Sequence, residues 1–66
     1  MSVAKVIEIS STSKKSFEDA IQDGIDRAAK TVKDIRSAWV SEMRVNVKDN
    51  KVSHYQVNLK ITFVLD

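Results

Sequence analysis

The stretch SHYQVNLKITFVLD, residues 53–66, alternates apolar and polar side chains along most of its length. Its apolar residues occupy every second position: Tyr55, Val57, Leu59, Ile61, Phe63 and Leu65. Side chains of a strand point alternately to the two faces of a sheet, so this pattern predicts a long strand with one buried face. The other face carries the polar residues between them: His54, Gln56, Asn58, Lys60 and Thr62.

The preceding segment, RSAWVSEMRVNVKDNK (36–51), predicts the hairpin partner of this strand. Asp49 and Asn50 tolerate the left-handed backbone conformations that a tight turn needs. A three-residue turn at 49–51 would place Val45 opposite Tyr55 and Arg44 opposite Gln56.

The apolar pattern of this second strand changes phase halfway. Its second half has apolar residues in one phase: Met43, Val45 and Val47. Its first half has them in the other: Ala38 and Val40. A β-bulge near Ser41 and Glu42 would turn both sets to the same face and point Trp39 outward. Without a bulge, Trp39 would lie buried beneath the helix; we favour the bulge.

The first half of the chain predicts a strand, a turn and a helix. Residues 3–10, VAKVIEIS, are rich in β-branched residues and lead into the polar cluster SSTS, which favours a turn. Ser13 or Ser16 can cap the helix, the latter with Asp19 in a box-like arrangement. Apolar residues then recur at helical spacing over about five turns: Phe17, Ile21, Ile25, Ala28, Val32 and Ile35. Gly24 within this stripe suggests that another backbone passes close.

These elements predict an α+β fold of the order β-α-β-β, with one helix on a three-stranded antiparallel sheet, in a single domain spanning residues 1–66. A domain of 66 residues has a thin core. With no cysteine and one histidine it has neither disulfides nor a zinc cluster, so we expect stabilisation by self-association. The apolar run near the N-terminus is too short for a signal sequence or a membrane span, which predicts a cytoplasmic protein without a membrane partner.

The charges and reactive side chains disfavour two classes of function. Basic residues number 11 and acidic residues 9, and they are interleaved, unlike the clustered charges of dedicated nucleic-acid binders. A basic surface on the helix is the weakest alternative, with Lys14, Lys15, Lys30, Lys33 and Arg36. An enzyme is also disfavoured, because a positioned acid, base or nucleophile is not recognisable. We expect His54 to be a solvated surface residue at the edge of the hairpin.

An outward Trp39 would share its sheet face with Gln56 and Arg44. An indole can stack on a flat aromatic ligand. An amide can bond the edge of a heteroaromatic ring, and a guanidinium can pair with a phosphate. The alternative is that Trp39 anchors a subunit interface and that the other two are ordinary surface residues.

The chain also resembles the dodecins, a family of small flavin-binding proteins. The resemblance rests on KVIEI (5–9), TSKKSFEDAIQDGIDRAAKTV (12–32) and YQVNLKITFVL (55–65), in that order and spacing. It implies a curved sheet wrapped around one helix, a hollow homododecamer, and flavin pairs held near two-fold axes. It further implies a non-catalytic role in storing or sequestering FMN, riboflavin or FAD.

In that family a tryptophan early in the second strand stacks on the flavin and a glutamine in the last strand contacts it. Gln56, directly after Tyr55, matches this glutamine. An ungapped alignment places the family tryptophan at Ser37, so Trp39 stands two residues further along the same face, a displacement of ~6 to 7 Å. The candidate flavin-binding residues are therefore Trp39, Gln56, Arg44 and Ser37. The alternative is a dodecin-like shell that holds another small ligand or an ion.

Overall fold

One helix lies against one face of a three-stranded antiparallel sheet, as the sequence predicts. The computed structural model of the protein describes residues 3–65. Its elements are β1 (Val3–Ser13), α1 (Phe17–Ala28), β2 (Ile35–Lys48) and β3 (Lys51–Leu65). The strand order is β1-β3-β2, so β3 is the central strand. Residues 1, 2 and 66 lie outside the described residues, and the domain bounds at 1 and 66 stay predictions.

The core lies between the inner face of β3 and the helix. Val57, Leu59 and Ile61 are fully buried, and Ala20 and Ala28 cover them from α1. Both edge strands add half-buried apolar residues: Ile7, Ile9, Ala38 and Val40. The central position of β3 explains why its alternation is the clearest signal in the sequence, because pairing on both sides fixes which face each residue takes.

Two serines fix the start of the helix. Ser16 is the N-cap, and its hydroxyl accepts a hydrogen bond from the Asp19 backbone N–H at 3.0 Å. The Asp19 carboxylate does not return to Ser16 but accepts a bond of 2.7 Å from the Ser13 hydroxyl. Ser13 Oγ in turn accepts from the Lys15 N–H at 2.9 Å. The predicted turn at 10–13 is wrong, because β1 continues through Ser13, which pairs with Tyr55.

The helix is shorter than the apolar stripe predicted. It has 12 residues and ends at Ala28, so the predicted five-turn helix is wrong. Val32 follows a turn, and Ile35 already begins β2. Asp34 between them has a φ of 57°, a left-handed conformation through which no helix could continue to Ile35. Val32 and Ile35 still pack on the core, so the apolar pattern continues beyond the end of the helix because these residues are also partly buried.

The β2–β3 hairpin has a two-residue turn, so the predicted three-residue turn is wrong. Asp49 and Asn50 have φ values of 53° and 63°, and Lys48 pairs with Lys51. Positive φ at both central residues is what a type I′ turn requires. A register shift next to Asn46 and Val47 then adds one residue to β3. The two differences compensate, which confirms the predicted pairs of Val45 with Tyr55 and of Arg44 with Gln56.

Gly24 allows the helix to approach the sheet closely. A Cβ at this position would lie 3.0 Å from Leu59 Cδ1, 3.2 Å from Ser11 Cβ and 3.3 Å from Ile9 Cδ1. Close packing is therefore the reason for glycine, although the neighbouring atoms belong to side chains rather than to the predicted backbone.

The hairpin projects well beyond the helix. The protein is 51 Å long, whereas a helix of 12 residues spans about 18 Å. The far end of the hairpin, which we call the hairpin arm (residues 43–54), therefore has an uncovered inner face. Its exposed apolar side chains there are Met43, Val45, Val47 and Val52.

Candidate functional site

The sheet face turned away from α1, which we call the open face, carries polar side chains in cross-strand rows. Each row joins one residue from each strand, in the order β1, β3, β2. Three successive rows are Glu8–Lys60–Trp39, Ser10–Asn58–Glu42 and Thr12–Gln56–Arg44. Directly paired residues of an antiparallel sheet share a face, so these nine side chains form one surface.

A bulge in β2 places Trp39 on the open face. The pairing shifts by one residue between Val40 and Glu42, so Ser41 has no partner residue on β3. The Ser41 hydroxyl donates a hydrogen bond of 3.2 Å to the Asn58 carbonyl oxygen. Val40 therefore pairs with Leu59 on the inner face, while Trp39 pairs with Lys60 on the open face. The predicted bulge is confirmed, and Trp39 is 64% exposed in the single chain.

The Trp39 indole has a cation on one of its faces. Lys60 Nζ lies 4.9 Å from the ring centroid. Such a cation–π contact contributes roughly 0.5–1 kcal/mol at an exposed site. The indole is therefore held by its cross-strand neighbour while most of its surface stays open.

Amide side chains form hydrogen bonds across the open face. Asn58 Nδ2 donates to Glu42 Oε1 at 3.0 Å, and Gln56 Nε2 donates to Ser10 Oγ at 3.2 Å. The second bond uses one of the two N–H groups of Gln56, so its amide retains a donor and an acceptor for a ligand. These contacts orient the amides and leave them capable of binding.

The structure brings the four sequence-predicted site residues together only in pairs. Arg44 and Gln56 are direct cross-strand partners. Trp39 and Ser37 also lie close, since Ser37 pairs with Thr62 in the row beyond Lys60. The partners of Trp39 and Arg44 are four residues apart on β3, which corresponds to about 13 Å. A single subunit therefore presents an aromatic end and a polar end rather than one pocket.

The sequence interpretation placed Lys60 on the open face but did not assign it to the site. The signal that could have found it is the register, because the bulge and the hairpin pairs together place Lys60 opposite Trp39. Its position over the ring depends on a side-chain conformation that periodicity does not report.

A concave cavity lies elsewhere, between α1 and the edge strand β1. Its volume is about 490 Å³, and Ile7, Ile9, Gly24 and Arg27 are among its lining residues. It lies on the inner side of the sheet, and none of the four predicted site residues lines it.

Two other kinds of feature are absent from residues 3–65. Within that range, no cluster of three or more His, Cys, Asp or Glu residues could hold a metal ion. In the same range, the helix is neither long nor apolar enough to cross a membrane.

This geometry defines a class, a β-α-β-β protein with one helix on an open antiparallel sheet and an exposed indole on the uncovered face. The family model described as Dodecin matches residues 3–66. The chain therefore belongs to the dodecin family. Dodecins are non-enzymatic proteins that bind small ligands, and the structures of relatives support homo-oligomeric assembly.

Individual relatives match over nearly their whole length. Calcium dodecin of Mycobacterium tuberculosis is 40% identical over 63 residues, which cover 96% of this chain and 89% of the relative. Dodecin of Thermus thermophilus is 36% identical over 64 residues, which cover 97% of this chain and 93% of the relative.

The solved structures agree with the fold. Dodecin from Streptomyces davaonensis has a TM-score of 0.93 at 34% identity, covering 98% of this chain and 96% of that one. The crystal structure of the mycobacterial protein, described as calcium chelating with a calcium-binding site, has a TM-score of 0.84 at 37% identity and covers 97% of this chain and 91% of that one.

Proposed function

We propose that this protein binds flavins (FMN, riboflavin or FAD) without catalysing their conversion, and stores or sequesters them at subunit interfaces. The observation that carries the proposal is the exposed indole of Trp39 on the open face. A large aromatic ring on an otherwise polar surface is the feature that a flat heteroaromatic ligand would cover. Flavin binding is also typical of the dodecin family.

The polar end of the open face complements the rest of a flavin. The Gln56 amide offers a donor and an acceptor to the edge of the isoalloxazine ring. The Arg44 guanidinium, directly opposite, can pair with a phosphate of FMN or FAD. Because the two ends lie about 13 Å apart within one chain, we infer that a bound flavin stacks on the indole of one subunit and meets the amide of a neighbour.

The proposed assembly is a hollow homododecamer. The hairpin arm supports self-association, because its inner face exposes Met43, Val45, Val47 and Val52. A domain of 66 residues gains from burying such a surface against further copies, since its own core is small. Ligand sites at the junctions would then form only in the assembly.

A second candidate is a shell that holds a cation instead of a flavin. The description of the mycobacterial relative as a calcium dodecin favours it. Calcium takes six to eight oxygen ligands, whereas the part of the chain from 3 to 65 contains no acidic cluster of three. A calcium site would therefore need carboxylates from several subunits, for example Glu8 or Glu42 on the open face.

Fluorescence tests the flavin proposal. Trp39 is the single tryptophan of the chain, so its emission reports on this position alone. We expect added FMN to quench the emission of Trp39 and to lose its own fluorescence stoichiometrically. Absence of both effects at micromolar FMN would contradict the proposal.

The Trp39→Ala variant separates binding from assembly. We expect it to leave FMN fluorescence unquenched while light scattering still detects the assembled particle. A variant that dissociates into monomers would instead assign Trp39 to the interface.

The second candidate is tested by calorimetric titration with calcium, with and without FMN. It predicts that the protein binds calcium and does not bind FMN.

A further inference from the structure

The row Glu8–Lys60–Trp39 places a positive charge directly at the proposed stacking site. Lys60 is half-buried on the central strand, and its Nζ lies over the Trp39 ring at 4.9 Å. Its other cross-strand neighbour, Glu8, is an exposed residue of β1. The lysine therefore lies between an indole and a carboxylate.

The ammonium covers one face of the indole, which leaves the opposite face for a flat ligand. A ligand that stacks on the opposite face keeps the cation–π contact intact, whereas one that displaces the ammonium loses it. With the stacked ring in van der Waals contact, the ammonium and the plane of the ligand would be about 8 Å apart. At that distance the ammonium attracts negative charge on the ligand without touching the ring.

We infer that Lys60 is a specificity-determining residue, which makes this site prefer phosphate-bearing flavins over riboflavin. This inference rests on the proposed function, since it needs a flavin stacked on Trp39. FMN and riboflavin share the isoalloxazine ring and the ribityl chain, so the phosphate alone distinguishes them. Arg44 lies two rows away and is exposed, whereas Lys60 is half-buried and its Nζ lies over the stacking ring.

Glu8 moderates this preference. Its carboxylate lies across the row from Lys60, and its negative charge repels a phosphate. The Glu8→Gln change therefore raises the local positive potential, and the Lys60→Met change lowers it. If the two substitutions change the preference for FMN in opposite directions, the cause is the local charge, because a general loss of structure would weaken binding in both variants.

The test compares dissociation constants for FMN and riboflavin, measured by flavin quenching at ~10 mM salt, where screening acts over about 30 Å. The phosphate lies at the end of the ribityl chain and is therefore farther from the ammonium than the plane of the ring. For the natural protein we expect FMN to bind more tightly than riboflavin, with a contribution of about threefold from Lys60, as one charge ~12 Å from a phosphate dianion implies in water. Lys60→Met should lower this ratio by about threefold, chiefly by weakening FMN, whereas the contribution of Arg44 to phosphate binding should persist. Lys60→Arg, which keeps the positive charge, should retain the FMN-to-riboflavin ratio of the natural protein. Glu8→Gln should increase this ratio.

Lys30→Met is the matched control, because it removes the same charge from an exposed residue just after α1, which packs on the opposite side of the sheet from Trp39. It should leave the FMN-to-riboflavin ratio unchanged. A ratio that Lys60→Met leaves unchanged, in particles whose size light scattering confirms, would overturn the inference while leaving the proposed function intact. A natural protein that binds neither flavin would contradict the proposed function itself.

Discussion

Replacing Gly24 with alanine tests the packing of the helix on the sheet, because two opposing effects meet there. Alanine is favoured over glycine in a helix interior by about 0.8–1.0 kcal/mol. The added Cβ would lie 3.0 Å from Leu59 Cδ1 and 3.2 Å from Ser11 Cβ. Leu59 is fully buried, so it has little room to move. Overpacking of this kind costs ~1–3 kcal/mol, and we expect Gly24→Ala to destabilise the protein by about 1 kcal/mol.

The assay is urea unfolding at one fixed protomer concentration, since subunit association adds to the apparent stability. Gln22, exposed on the same helix, provides the matched control. The difference between Gln22→Gly and Gln22→Ala should favour alanine by about 1 kcal/mol. If Gly24→Ala stabilises the protein by a similar amount, the close approach at Gly24 is refuted. In the Ile9→Val background, which removes the contact at 3.3 Å, the substitution should cost less.

Three other substitutions test separate parts of the account. Ser16→Ala removes the helix cap that binds the Asp19 N–H; it should lower the free energy of unfolding by about 1 kcal/mol, and an unchanged urea midpoint would refute the cap. Asn50→Val places a β-branched residue at a φ of 63° and should destabilise by about 1–2 kcal/mol, whereas Asn50→Gly should not; equal midpoints would argue against the two-residue turn. Met43→Asp places a charge on the exposed hairpin arm and should reduce the molar mass in light scattering, so an unchanged mass would exclude the arm from assembly.

The sequence predicted the elements whose side-chain alternation is fixed by burial. The alternation of β3 predicted its two faces, and the phase change between Val40 and Met43 predicted the bulge that turns Trp39 outward. In both cases a strand with one buried face can satisfy its apolar residues in only one register.

The sequence did not predict where the helix ends or how tight the hairpin turn is. Val32 and Ile35 continue the apolar stripe because they pack on the core after the helix has ended, and burial alone does not distinguish these cases. The turn length was obscured by a compensating irregularity near Val47, which leaves the pairs beyond it unchanged.

The candidate site was predicted by residue and face but not by arrangement. The separation of Trp39 from Gln56 follows from the register, whereas the position of Lys60 Nζ over the indole depends on a rotamer. The match to the family model establishes the family, whereas flavin as the ligand and the roles of Trp39, Gln56, Arg44 and Ser37 are proposals.

A crystal structure of the assembled protein grown with FMN would show directly whether Trp39 binds the flavin. We expect an isoalloxazine ring in van der Waals contact with the indole of Trp39 at a junction between subunits. A Trp39 indole that a neighbouring protomer covers, with no flavin in contact with it, would contradict flavin binding at this site.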